Sequence, residues 1–137
     1  MKTLVVYYSY TGKTRLVAER RAKEVAADIL ELKEKTRRSK FNAYFFGCIA
    51  ARKQKLAELQ DFTTDLPSYN KIIIAMPIWA GYPAPAINNI INSLPPGKEI
   101  ELIMTSGSGN SKGSRNKIKT MIEAKECRVV SYTDLKR

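Results

Sequence analysis

The chain has 137 residues, 44% of them hydrophobic, no histidine, and 24 lysines and arginines against 13 acids, a formal net charge of +11. That length suits one domain over residues 1–137 with a full core, and the hydrophobic content excludes disorder. The missing imidazole removes the Ser-His triad, the commonest general base and most zinc chemistry.

No run approaches the ~20 apolar residues of a membrane span, so no membrane is expected. Met1-Lys2-Thr3 leads directly into an apolar run, so no signal peptide is expected. Cys48 and Cys127 are too few and too unpatterned for a metal site or a disulfide framework; buried thiols in a reducing cytoplasm are expected. No metal site and no catalytic side chain emerge, and any chemistry is expected to belong to a cofactor.

Apolar runs alternate with helical patterns, as in a parallel α/β sheet. Residues 3–8, with Leu4-Val5-Val6-Tyr7, form the first strand. Tyr8-Ser9-Tyr10-Thr11-Gly12-Lys13-Thr14 then leads into a helical pattern over 13–27, with Ala18, Ala22, Val25 and Ala26 on one face. A strand that ends in hydroxyls, a glycine and a helix start is a phosphate cradle. Backbone N–H groups converge there, and the helix dipole favours an anion. Ser9, Thr11, Thr14 and Lys13 add donors with no competing carboxylate; the rival reading of the hydroxyls is a helix cap. Spacing narrows the ligand. A Walker A loop needs glycine where Tyr7 stands, and the dinucleotide fingerprint needs three glycines where this loop has one. Gly107-Ser108-Gly109 would need another glycine where Lys112 stands.

Residues 28–33 read as a short edge strand and 33–40 as a basic connector, five cations against Glu34. A second helical pattern covers 44–60, with Phe45, Ile49 and Leu56 inward. Ile72-Ile73-Ile74-Ala75, within a strand over 71–76, is the continuous run of a strand covered on both faces. Pro77-Ile78-Trp79-Ala80-Gly81-Tyr82, followed by Pro83-Ala84-Pro85-Ala86, is a loop holding the single tryptophan. Ile87, Ile90, Ile91 and Leu94 mark a helix stopped by Pro95-Pro96-Gly97. The fourth strand is expected at 99–105, followed by the loop Thr105-Ser106-Gly107-Ser108-Gly109-Asn110. A helix over 111–124, with Ile118, Met121 and Ile122, and a fifth strand over 127–132 complete the pattern.

Three of these segments, each after an apolar strand, resemble flavodoxins. Ser-x-Thr-Gly-x-Thr resembles their FMN-phosphate loop, residues 77–86 the flavin-ring loop after the third strand, and 105–110 the loop after the fourth. The resemblance implies a flavodoxin-like three-layer α/β sandwich with a five-stranded parallel sheet ordered 2-1-3-4-5. FMN would then sit beyond the ends of strands one and three, where the topology rule places ligands. It also implies roles: Ser9, Tyr10, Thr11, Gly12, Lys13 and Thr14 for the phosphate, and Trp79 stacked against the flavin. Pro77, Ile78, Ala80, Gly81 and Tyr82 would shape the ring loop. Thr105, Ser106, Gly107, Ser108 and Gly109 would offer N–H groups to the pyrimidine side, unless they form only a turn before the next helix. Lys13 and Ala80 depart from the family pattern of an uncharged residue and a second aromatic; Tyr82 is the candidate replacement. As a bare residue, Trp79 would more often belong to the core.

Two further features separate the chain from the family. Only residues 133–137 follow the fifth strand, so the family's C-terminal helix is expected to be missing. Glu99, Glu101 and Ile103 on one side, with Glu126, Arg128, Val130 and Tyr132 alternating likewise, predict a half-polar uncovered face. That face is expected to pair with a second copy through Ile103, Val130 and Tyr132. Lys13, Arg15, Lys112, Arg115, Lys117 and Lys119 give the site a positive rim. Cations there favour reduced FMN, so a potential less negative than in acidic flavodoxins is expected. They also suit an acidic redox partner protein or the phosphate of NAD(P)H. Nucleic acid is not expected, because no aromatics interleave with the basic residues. The leading expectation is an FMN-binding electron-transfer protein. The alternatives are an NAD(P)H-dependent FMN reductase of quinone- or nitro-type acceptors, and an interaction domain that uses its basic surface without FMN.

Overall fold

A computed structural model describes residues 2–10, 12–33, 65–79, 82–107, 109 and 112–136. The expected helix over 44–60, the connector over 34–40 and Cys48 lie outside the described residues. Strands β1 (Thr3–Tyr7), β2 (Asp28–Glu31), β3 (Lys71–Trp79), β5 (Glu99–Ser106) and β6 (Arg128–Lys136) form a parallel sheet in the order β2-β1-β3-β5-β6. Its strand sequence is that expected for the five parallel strands. A sixth strand, β4 (Tyr82–Pro83), pairs antiparallel with the end of β3 and was expected to be loop.

β3 runs three residues past its expected end. Ala75 and Pro77 point the same way, and β1 pairs only as far as Ala75. Pro77 therefore lacks an N–H where no neighbour strand needs one, and its carbonyl accepts from Ala84 N at 3.1 Å.

Helices α1 (Lys13–Val25), α2 (Pro85–Asn92) and α3 (Lys112–Glu123) pack on the two faces. Leu4, Val6, Ile72, Ile74, Met76, Leu102 and Met104 face Ile87, Ile90 and Ile91 of α2 and Ile118 and Ile122 of α3. On the other face Val5, Tyr7, Ile73, Ala75 and Ile103 meet Ala18 and Ala22 of α1. Val25 and Ala26, expected inward, are exposed. The helix stops before its fourth turn can close, because Ala26 takes a left-handed conformation (φ 53°).

The expected uncovered face is not assembled as the alternation implied. Glu101 and Ile103 are each only 4% exposed, because one stripe of α1 lies beside alternate residues of β5. Thr14 Oγ1 is 2.8 Å from Thr105 Oγ1, Val17 packs on the cluster that holds Ile103, and Arg21 grips Glu101 with two bonds of 2.8 and 2.9 Å. Lys71 Nζ adds a third contact at 3.2 Å. Burial alone would push the Glu101 carboxyl up; the bonds and charges of Arg21 and Lys71 outweigh it and hold the group below its ordinary value.

Tyr132 is displaced for a different reason. Ile100 pairs with Val129 but Glu101 with Ser131, so Val130 is an extra residue and all later side chains change face. Tyr132 now shares the side of Leu102, beneath the Arg115 guanidinium at 4.0 Å. Ile103, Val130 and Tyr132 thus do not form one surface.

Arg21→Ala leaves Glu101 with Lys71 alone and is expected to cost about 2–3 kcal/mol near neutral pH, read by urea denaturation. A lowered carboxyl contributes stability above the unfolded-state pKa and loses it as pH falls through the folded one. Removing Arg21 is therefore expected to move the acid limb of the stability curve to higher pH.

Candidate functional site

The parallel strands place the ends of β1, β3 and β5 along one edge. After β1, Ser9 Oγ accepts from Gly12 N–H at 2.9 Å, and Gly12 turns the chain into α1 at φ +95°. Among the described residues no side chain caps this helix, and its first turn holds no acid. The described hydroxyls are therefore not caps, and the first-turn N–H groups face outward at the positive end of the dipole.

The loop after β5 repeats the device: Ser106 Oγ accepts from Gly109 N–H at 3.0 Å, with Gly109 at φ +75°. Both turns are Ser-x-x-Gly, a spacing visible in the sequence whose meaning became clear only from the bonds. It also changes a role. The N–H groups of Gly12 and Gly109 are engaged within their own loops, so these glycines shape the turns and other groups must meet a ligand.

Thr14 and Thr105, expected to contact the ligand, are each 2% exposed. Thr105 Oγ1 lies 3.4 Å from the Met76 carbonyl. With that proton donated there, Thr14 donates to Thr105. Their side chains join α1 to β5 and set the spacing of the two loops. Ser9, Tyr10, Gly12 and Lys13 line a cavity of about 480 Å³ together with Arg15, Leu16 and Glu31. Beside it, burial and then the Glu31 charge push the Tyr7 phenol up. Thr11, Ala80, Gly81 and Ser108 lie outside the described residues.

Trp79 ends β3 instead of sitting in a loop, and it is 8% exposed. Tyr8 and Tyr10 meet it edge-on, with ring centroids at 6.0 and 6.4 Å. The indole belongs to the larger core cluster, as a bare tryptophan more often does. Tyr8 was absent from the sequence candidates. Half-buried Tyr10 and Tyr82 supply the aromatic surface beside it; Lys117 Nζ donates to Tyr82 Oη and lies 4.5 Å over its ring. Pro77 and Ile78 are buried strand residues, Ser106 is buried and Gly107 exposed. The edge thus offers uncapped N–H groups, hydroxyls and cations for an anion next to aromatic faces for a planar ring. Among the described residues no three His, Cys, Asp or Glu gather to hold a metal, and no helix is long and apolar enough to cross a membrane.

The flavodoxin family model matches residues 2–132. A flavoprotein from Lactobacillus acidophilus NCFM, solved in complex with FMN, superposes with a TM-score of 0.81 at 24% identity, covering 96% of this chain and 91% of that one. The NMR structure of the apo-form of the flavoprotein from the same organism gives 0.72 at 25% identity, covering 97% and 92%. The flavodoxin of Streptococcus pneumoniae TIGR4 gives 0.62 at 12% identity, covering 100% and 87%. A comparison with curated proteins gives no match.

Tyr10→Ala uncovers the indole, so the emission of the single tryptophan is expected to shift to the red, read by steady-state fluorescence. Gly109→Ala meets both a left-handed φ and a Cβ 3.1 Å from that of Lys136. An expected loss of about 1–2 kcal/mol is checked by thermal denaturation.

Proposed function

The chain belongs to the flavodoxin family, and from that premise we propose that it binds FMN at the C-terminal edge of its sheet and carries electrons between partners. The observation that carries this reading is the start of α1, where no described side chain caps the first-turn N–H groups and the turn itself holds no acid. Bound FMN supplies the redox chemistry; the protein's part is to hold it and set its electrostatic surroundings.

Ser9 Oγ already accepts from Gly12, so its own proton is free for a phosphate oxygen. The first-turn amides add donors in a fixed direction, and Lys13 adds charge at the rim. Tyr10 and Tyr82 offer their rings at the surface, and Trp79 backs Tyr10 from the core. The Thr14–Thr105 bond keeps the phosphate side and the β5 loop at one separation. Adding an electron to a ligand is easier among cations, so Lys13 and Arg15 favour its reduced form.

FMN added to the protein is expected to quench Trp79 emission near stoichiometry, with riboflavin, which lacks the phosphate, at least about tenfold weaker. Absence of quenching defeats the FMN reading. In the loaded protein, Lys13→Gln is expected to make the midpoint potential more negative by on the order of tens of millivolts, followed by spectroelectrochemistry. Rapid turnover with NADPH and a quinone, without a second protein, would move the assignment from carrier to reductase.

A further inference from the structure

Charge is divided along the strand axis. In a parallel sheet the strand ends and the starts of the following helices share one edge, so residues can be placed on it from topology. At the candidate-site edge stand Lys13 and Arg15 of α1, Lys33 after β2, Arg115 and Lys117 of α3, and Lys136 at the end of β6. The acids near that edge are already paired: Glu19 with Arg15 at 3.4 Å, Glu31 with Lys33 at 3.7 Å and Asp134 with Arg115 at 3.7 Å. At the far edge Glu24, Asp28, Asp65, Glu99, Glu123 and Glu126 stand among Lys2, Lys23, Lys98, Lys125 and Arg128, six acids against five bases.

Within the positive edge, α3 stands out. It carries no acid before Glu123. Arg115 and Lys117 are both exposed and diverge from it. Arg115 lies 4.0 Å over the Tyr132 ring, and Lys117 lies 4.5 Å over the Tyr82 ring. Cations already seated on aromatic faces lose less freedom on docking than free side chains, while their remaining N–H donors stay in water. Tyr82 also follows Trp79 across the β3–β4 pairing, and the backbone of Lys136 lies against Gly109 of the β5 loop. The surface therefore borders the candidate site on two sides.

We propose that the solvent side of α3, flanked by Arg115 over Tyr132 and by Lys117 over Tyr82, is the docking surface for a redox protein that presents carboxylates. The inference rests on the electron-transfer reading and names the partner's chemistry: complementary charge steers the encounter and orients it toward the site.

The probe is an acidic plant-type ferredoxin titrated into the ¹⁵N-labelled full chain, before and after addition of FMN, with amide shifts as the readout. Expected are shifts centred on residues 115–119 and 132–136, and affinity at least about tenfold weaker when salt rises from ~0.02 to ~0.2 M. Arg115→Glu with Lys117→Glu is expected to weaken binding at least tenfold, Arg115→Lys to retain it, and Lys23→Glu to leave it within twofold. Amide spectra of each variant verify the fold. Shifts centred at Lys23 or Lys98, or a double variant that binds as the wild type does, would overturn the proposal. So would a single-stranded oligonucleotide that takes the same face more tightly at equal salt. Docking in a protein that fails to bind FMN would sink the flavin reading and leave this surface standing, so the two failures are separable.

Discussion

The stripe joining α1 to β5 is the constraint on which the site depends. Thr14, Val17 and Arg21 lie at i, i+3 and i+7 of the helix, and Thr105, Ile103 and Glu101 alternate along the strand. An apolar helix face on an apolar sheet can slide by fractions of a turn at small cost. A guanidinium fork on a carboxylate cannot, because both N–H···O bonds fit one orientation only. Thr14 stands seven residues before Arg21, about 10 Å along the axis. The lock at Glu101 therefore also fixes the height of the first turn against the β5 loop. Desolvating Glu101 is unfavourable taken alone; the two cations offset that cost, and the result is a defined register where hydrophobic contact would leave latitude.

The two serine–glycine turns act at the next level. Each closes a loop within four residues, so the backbone direction at the edge is set locally and needs no help from distant packing. Gly12 has nothing within 4 Å of its notional Cβ, whereas Gly109 is pressed on Lys136. The first glycine is required by conformation alone, the second by conformation and space. Because β6 ends against that second turn, the last strand belongs to the site's architecture as well as to the sheet.

The parallel sheet and its order were legible because each depends on a short-range pattern: a run of apolar residues, a helix start, a glycine. What was not legible depends on pairing between strands. A single extra residue at Val130 moved Tyr132 to the other face, and no periodicity in one strand reveals a bulge that exists only relative to its neighbour. Glu101 and Ile103 read as an uncovered face because the covering residues, Val17 and Arg21, stand at least eighty positions earlier. Trp79 read as a loop residue because Pro77 looks like a strand stop; only the early end of β1 makes a proline acceptable there. Thr14 and Thr105 were recognised as important, but for ligand contact. Their 2.8 Å bond to each other is a long-range fact.

Charge follows from the same geometry. A parallel α/β sheet gathers helix N-termini, each with a partial positive charge, at the edge where ligands bind. Side-chain carboxylates at that edge would oppose this field; here α1 and α3 begin with lysine and arginine, which reinforce it. One arrangement then has three effects of the same sign. It favours an anionic group at the start of α1, lowers the electrostatic cost of adding an electron nearby, and attracts carboxylates on an approaching protein. The far edge mixes acids and bases in nearly equal number, so the molecule carries a charge asymmetry along its strands as well as a net charge. Such an asymmetry turns an acidic partner toward the site before contact, which a uniform basic surface of equal charge would not do.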